Sequence, residues 1–160
     1  VKAYEKTGFR IARSFACFEQ GETLDREVPE VDIRPVGAEI LPDMEPELDW
    51  MPSWENSFDA IRAIPSEVQI LGVFEEGRCQ GIAAYLPALR WIMTLVVRRA
   101  RRGKGMGSAL LSKALEQASP GGRAVRVNNV DVADPAMIRF LLRNGFREFT
   151  TQYEMVFDLP

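Results

Sequence analysis

The sequence predicts a mixed α/β domain, a sheet flanked by helices, and three observations carry that expectation. The chain has 160 residues, a one-domain length. It is 46% apolar and 27% charged, an ordinary balance for a packed globular chain and wrong for a disordered or fibrous one. From residue 67 onward, apolar runs rich in Val, Ile and Thr alternate with runs of helical period in the order β-β-β-α-β-α-β.

Val31 to Val36 (VDIRPV) reads as a first strand of this unit. Gly37 to Met51 is acidic and interrupted by prolines, so a loop with at most one helical turn is expected. Pro52 to Ile64 reads as a short helix begun at Ser53, with Glu55 in its first turn. Glu67–Glu75 and Cys79–Leu86 flank Glu76-Gly77, a hairpin signal. Arg90 to Val97 is too continuously apolar for an exposed strand and belongs inside the sheet.

A glycine-rich stretch follows (RGKGMGS, 102–108). It opens a helix that turns Met106, Leu110, Leu111, Ala114, Leu115 and Ala118 to one face. Pro120-Gly121-Gly122 stops that helix, and Ala124 to Val130 reads as the next strand. Asp134-Pro135 is an N-cap with proline at the first helical position. The helix it opens carries Met137, Ile138, Leu141 and Leu142 inward and ends at Gly145 as a left-handed cap. Tyr153 to Leu159 is expected as the last strand.

The first residues repeat a later pattern. Tyr4-Glu5-Lys6-Thr7-Gly8-Phe9-Arg10 resembles Leu141-Leu142-Arg143-Asn144-Gly145-Phe146-Arg147, and each is followed by a β-leaning run. The expected organisation is therefore 1–20 as the helix end and strand of a preceding, similar domain, 21–29 as an acidic linker, and 30–160 as the domain proper. The strand at Arg10 to Glu19 would need a partner, either in the 30–160 sheet or in another protomer.

Several chemistries are excluded. There is no histidine, which removes Ser-His and Cys-His catalysis and the commonest metal ligand. Cys17 and Cys79 are too few and too far apart for a disulfide framework or a zinc site, so no metal is expected. The apolar stretch Gly81–Val97 is broken by Pro87 and Arg90 and does not reach a membrane span. No secretory leader is visible, and the default location is the cytoplasm. Charge is uneven within a net −3: seven carboxylates and no basic residue lie between Arg34 and Arg62, while Arg98 to Lys104 holds five basic residues and no acid. One region should attract cations and the other anions.

Strand, basic glycine turn and helix in that order is a recipe for phosphate. A first helical turn leaves about four N–H groups unsatisfied and carries roughly half a positive charge. Glycines at 103, 105 and 107 allow close approach, and Arg101, Arg102 and Lys104 can neutralise an anion from the sides. The frame is not a nucleotide-triphosphate loop, and G-x-G-x-G is not the dinucleotide fingerprint. An acidic chain without aromatic-basic interleaving does not read as a nucleic-acid binder.

These residues resemble the GNAT superfamily of acetyl-CoA-dependent N-acetyltransferases. Arg102 to Gly107 is similar to its R-x-x-G-x-G signature, and Leu95-Val96-Val97 to the end of the family's fourth strand. Asp134 to Phe146 (DPAMIRFLLRNGF) resembles the second family motif, as does Tyr4 to Phe9. Gly81 sits where the family commonly has glycine in its third strand.

The resemblance implies a mostly antiparallel sheet splayed between the family's fourth and fifth strands. It implies acetyl-CoA as co-substrate, with the pantetheine arm along Leu95, Val96 and Val97. Amides of Gly103, Lys104, Gly105, Met106, Gly107 and Ser108, beside Arg102, would cradle the pyrophosphate, with Asp134, Phe140 and Arg143 flanking. The acceptor would be a small-molecule or peptide amine, cationic if the unpartnered carboxylates receive it and Trp50 and Trp54 stack on it. A backbone amide at Val97 or a neighbour would stabilise the oxyanion.

The catalytic residues are open. The second motif's tyrosine, the usual thiolate partner, is Leu141 here, its counterpart in the repeat being Tyr4. Trp91, Met93 and Thr94 occupy the fourth-strand positions where the family often has acids. The base therefore moves to a carboxylate of 39–59, or else this copy binds acyl-CoA without turnover.

Overall fold

The computed structural model describes residues 1–21, 28–119 and 121–158. A short helix α1 (Lys2–Glu5) precedes the long strand β1 (Arg10–Gln20), and β2 (Asp32–Pro35) follows. Then come α2 (Leu41–Met44), α3 (Phe58–Ala63), β3 (Gln69–Glu75), β4 (Arg78–Leu86) and β5 (Trp91–Val97). The chain continues through α4 (Met106–Ala118), β6 (Arg126–Asp131), α5 (Pro135–Arg143) and β7 (Phe146–Val156).

One seven-stranded sheet runs β2-β3-β4-β5-β6-β1-β7. Every pairing is antiparallel except β5 with β6. Strand alternation sends Leu71, Val73, Ala83 and Tyr85 to one face, where α4 packs with Leu110, Leu111 and Ala114. The other face carries Ile70, Ile82, Ala84 and Met93 against Leu41, Met44, Phe58 and Ile61 of α2 and α3.

The expected strand at Arg10–Glu19 finds its partners in the same sheet. β1 pairs Phe18 with Val127 of β6 and with Glu148 of β7, and Phe18 is fully buried. The hairpin turn Glu76-Gly77 takes two left-handed residues (φ 52° and 75°), the geometry of a tight two-residue connection. Asp134 caps α5 by accepting from the amides of Ala136 and Met137, and Gly145 ends it at φ 82°.

Four expectations are corrected. The last strand is Phe146–Val156 and not Tyr153–Leu159: it starts at once after Gly145 because eleven residues of β1 lie beside it. Leu159 lies outside the described residues, as do residues 22–27 of the expected linker. The helix expected over 52–64 is two pieces, a 3-10 turn at Trp54–Asn56 and then α3. Ser57 is extended (ψ 156°) and its side chain, not that of Ser53, caps the helix. The acidic stretch 37–51 is more helical than a single turn. Pro42 and Pro46 sit in the first turns of α2 and of a 3-10 turn (Glu45–Glu47), where their fixed φ suits helix starts. Leu142 points outward at 50% exposure, since Leu141 takes the buried arc of α5.

Candidate functional site

The site begins with a broken ladder. β5 and β6 pair only at Trp91–Arg126 and Ile92–Val127, and then diverge. From Met93 to Val97, β5 is bonded to β4 on one side and, among the described residues, faces no strand on the other. Its backbone groups on that edge are available to an extended ligand, as at any open sheet edge. A bulge at Met93, between Ala84–Thr94 and Tyr85–Ile92, kinks the strand at the start of the split. A cavity of about 450 Å³ fills the opening.

At the far end of β5 the chain turns through a 3-10 segment (Arg99–Arg101) into Gly103 (φ 77°) and Gly105 (φ 82°). Those left-handed positions favour glycine, which has no Cβ to strain. The first bond of α4 is Ala109 N–H to Gly105 O (3.0 Å), which leaves the amides of Met106, Gly107 and Ser108 without intrahelical partners. Gly107 is also a packing position, because a Cβ there would lie 3.3 Å from the Phe140 ring.

The cavity brings together Leu95, Val96, Val97, Arg102, Gly103 and Gly105 with Gly107, Ser108, Asp134, Phe140 and Arg143. Lys104 stays outside on the exposed turn, and Met106 is buried in the core beneath α4. Leu141 lines the cavity with a buried side chain. Tyr4 is 59% exposed, packs edge-on against Phe9, and does not line it.

Residues 38–146 match the acetyltransferase (GNAT) family. This chain belongs to that family. Its fold is similar to a GNAT-family putative acetyltransferase from Novosphingobium aromaticivorans, with a TM-score of 0.59 at 22% identity over 92% of this chain and 65% of that one. A Drosophila protein superposes with a TM-score of 0.68 at 16% identity, covering 96% and 55%. The IAA acetyltransferase from Bacillus cereus gives 0.61 at 22% identity, covering 76% and 79%. The chain thus spans between about half and two-thirds of the first two of these structures. No curated protein is significantly similar in sequence.

The charge blocks of the GNAT domain are joined, which corrects the expectation of unpartnered carboxylates for Glu47, Asp49 and Asp59, three of the seven. Glu47 accepts from the Arg99 amide (2.9 Å) and pairs with Arg98 (3.4 Å), and Asp49 pairs with Arg99 and Arg102. Arg99 also donates to the Pro46 and Leu48 carbonyls, and Arg102 to those of Glu47 and Val97. Arg101 stands at ion-pair distance from Glu75, and Asp59 pairs with Arg62. Exposed ion pairs are individually weak, but here they also satisfy loop carbonyls, so residues 46–49 are strapped to the glycine turn.

This network sets an acid limit. The Arg99 amide holds Glu47 below its usual value, and Arg13 holds Glu154 below its own. Burial pushes Asp49 up, but the hydrogen bonds from Arg102 and Arg99 outweigh it and the net direction is down. Folded values below unfolded ones mean stability is present above the unfolded range, about pH 4, and is lost as pH falls through the lower folded values. Loss of these three contributions should therefore lower thermal midpoints as pH falls below about pH 4. A flat profile to pH 2 would contradict the network.

Three residues at the other end of the cavity escaped the sequence reading. Arg13 of β1 makes two bonds to Glu154 (2.7 and 2.9 Å), reaches Asp131 at 3.5 Å, and donates to the carbonyls of Met51 and Pro52. It pins the segment whose Trp50 and Met51 stand exposed at the cavity mouth. Asn129 of β6 is left-handed (φ 57°) and donates to the Glu55 carboxylate, which burial pushes up in pKa. Asn56 reaches across to donate to Asn128 O. All three contacts join residues more than 35 apart, and local spacing carries no sign of them.

Proposed function

We propose that this chain is the acyl-CoA-binding and catalytic domain of an N-acetyltransferase that acetylates a primary amine by direct attack on the thioester. The observation that supports it is the continuous track from the unpaired β5 edge to the free amides of Met106, Gly107 and Ser108. An extended pantetheine arm fits the first and a pyrophosphate the second. Acetyl-CoA supplies an activated acyl carbonyl. The amine nitrogen forms the C–N bond, the C–S bond breaks with its pair on sulfur, and the nitrogen's proton passes to solvent or to the departing thiolate.

The acceptor enters from the Trp50–Pro52 side. A second cavity of about 820 Å³ adjoins the first there and shares Trp50, Met51, Pro52 and Asp131 with it. Trp54, 78% exposed, and Glu45 line it, and they suit a cationic amine; Asp59, Asp131 and Glu154 also line it but are paired with Arg62 and Arg13.

A second reading is favoured by one observation. The position of the family's thiolate partner is the buried Leu141, so this copy would bind acyl-CoA without turning it over. Steady-state release of CoA from acetyl-CoA with a panel of primary amines separates the two readings. Amine-dependent release supports the enzyme; tight CoA binding with no release under any amine supports the binding domain.

Residues 1–20 fit the end of a preceding similar copy, which is the third part of the proposal. Helix, left-handed glycine and long strand recur in the same order at Lys2–Gln20 and Pro135–Val156, with Gly8 at φ 95° and Gly145 at φ 82°.

A further inference from the structure

Strands β1 and β7 are related by a local two-fold axis. The sequence repeat aligns Gly8 with Gly145, an offset of 137 residues, and so gives each β1 residue a counterpart on β7. Exchanging the strands by that offset turns Ile11–Met155 into Phe18–Glu148, Arg13–Glu154 into Cys17–Thr150, and Ser14–Tyr153 into Ala16–Thr151, all of them observed pairs. Phe15–Gln152 maps onto itself and marks the axis. Antiparallel pairing alone does not require this. The axis set by the repeat falls at or within one residue of the middle of each strand. The two bulges exchange as well: Ala12 is the extra residue on β1, and its counterpart Phe149 is the extra residue on β7.

The outer neighbours of the two strands break the symmetry. β1 lies between β7 and β6, whereas β7 ends the sheet. Val132 N–H donates to Ser14 O, so Ser14 and Ala16 present their backbone groups to β6. Their partners Tyr153 and Thr151 then point theirs away from β1, where among the described residues no strand meets them. Phe15, Ala16, Cys17 and Phe18 are at most 3% exposed, but their counterparts Gln152 to Met155 are exposed or half-buried, with Tyr153 at 46%. An open edge of this length carrying an exposed aromatic is a template for another strand.

We propose that the outer edge of β7 receives the strand equivalent to β6 in the preceding similar copy, so that the two copies share one continuous sheet with β1 and β7 at its centre. This rests on the reading of residues 1–20 as the end of such a copy. The axis names the occupant: β6 flanks β1, so its counterpart flanks β7. It also sets the register, since the counterpart of Asp131 faces Gln152 as Asp131 faces Phe15.

The test is hydrogen exchange, residue by residue, on the full-length protein translated from the complete reading frame. The amides of Thr151 and Tyr153 should exchange at least about a hundredfold more slowly than the outward amides of β2, the strand at the other end of the sheet. A cysteine pair then checks the register. Gln152→Cys with a cysteine at the counterpart of Asp131 should close an intramolecular disulfide on mild oxidation. A cysteine at the counterpart of Val130 should not, because one step along a strand turns the side chain to the other face. The native Cys17 and Cys79 are buried. Exchange as fast at Thr151 and Tyr153 as in β2 would overturn the proposal and leave the tandem reading intact. So would failure of the matched pair to close, closure of the mismatched one, or protection lost on dilution, which would give the edge to a second molecule. A reading frame with no similar domain ahead of residue 1 would instead bring down the tandem reading, and the proposal with it.

Discussion

Gly105→Ala should weaken CoA binding at least about tenfold, while Gly121→Ala leaves it unchanged. Gly105 adopts φ 82°, a conformation that costs an L-residue roughly 1–2 kcal/mol. A Cβ there would also stand 2.7 Å from two Pro29 ring atoms, so the turn or the Val28–Glu30 segment must shift. Either response disturbs the amides at the start of α4, and about 1.4 kcal/mol is a tenfold change in affinity. Gly103→Ala, at φ 77° with open space around it, meets the backbone penalty alone and should fall between the two. Titration with CoA gives the order. Gly105→Ala binding within twofold of wild type would show that the turn does not hold the pyrophosphate.

The largest stability effect is expected at Phe18. Phe18→Ala should cost about 3–5 kcal/mol, the range for removing a buried aromatic. Phe18 is fully buried between β6 and β7, in the one core that also holds Val127, Val130 and Phe146. Against a total of roughly 5–15 kcal/mol for a domain, that is a large share. Phe149→Ala on β7, where the ring is 40% exposed, should cost less than about 1 kcal/mol. Urea unfolding of the two variants checks the difference. Similar midpoints would mean that residues 10–20 are not integral to the sheet.

The legible parts of this domain were those set by neighbours in sequence. The Glu76-Gly77 hairpin, the Asp134 cap, the Gly145 stop and the glycine turn before α4 all rest on contacts within a few residues. They appear where the sequence places them. β5, apolar at six of its seven positions, likewise implied an interior strand. The acidic segment was misread because its partners lie about 50 residues away: Glu47 and Asp49 meet Arg98, Arg99 and Arg102 only once the sheet brings the end of β5 beside them.

Asn56 was hidden for the same reason. An Asn after Trp54-Glu55 looks like ordinary helix surface until the extended Ser57 breaks the helix and the side chain turns to Asn128. The length of β7 was illegible too, because residues 147–153 are exposed and carry no alternation. Their partner strand β1 dictates the pairing from the opposite end of the chain.

The central claim is that the split between β5 and β6, continued by the glycine turn, holds a CoA thioester. Calorimetric titration of the protein with CoA, acetyl-CoA and ATP tests it most directly. Micromolar binding of both CoA forms, at one site per chain, with ATP at least about a hundredfold weaker, is the predicted result. No heat with either CoA form from a folded protein, or equal binding of ATP, would contradict it.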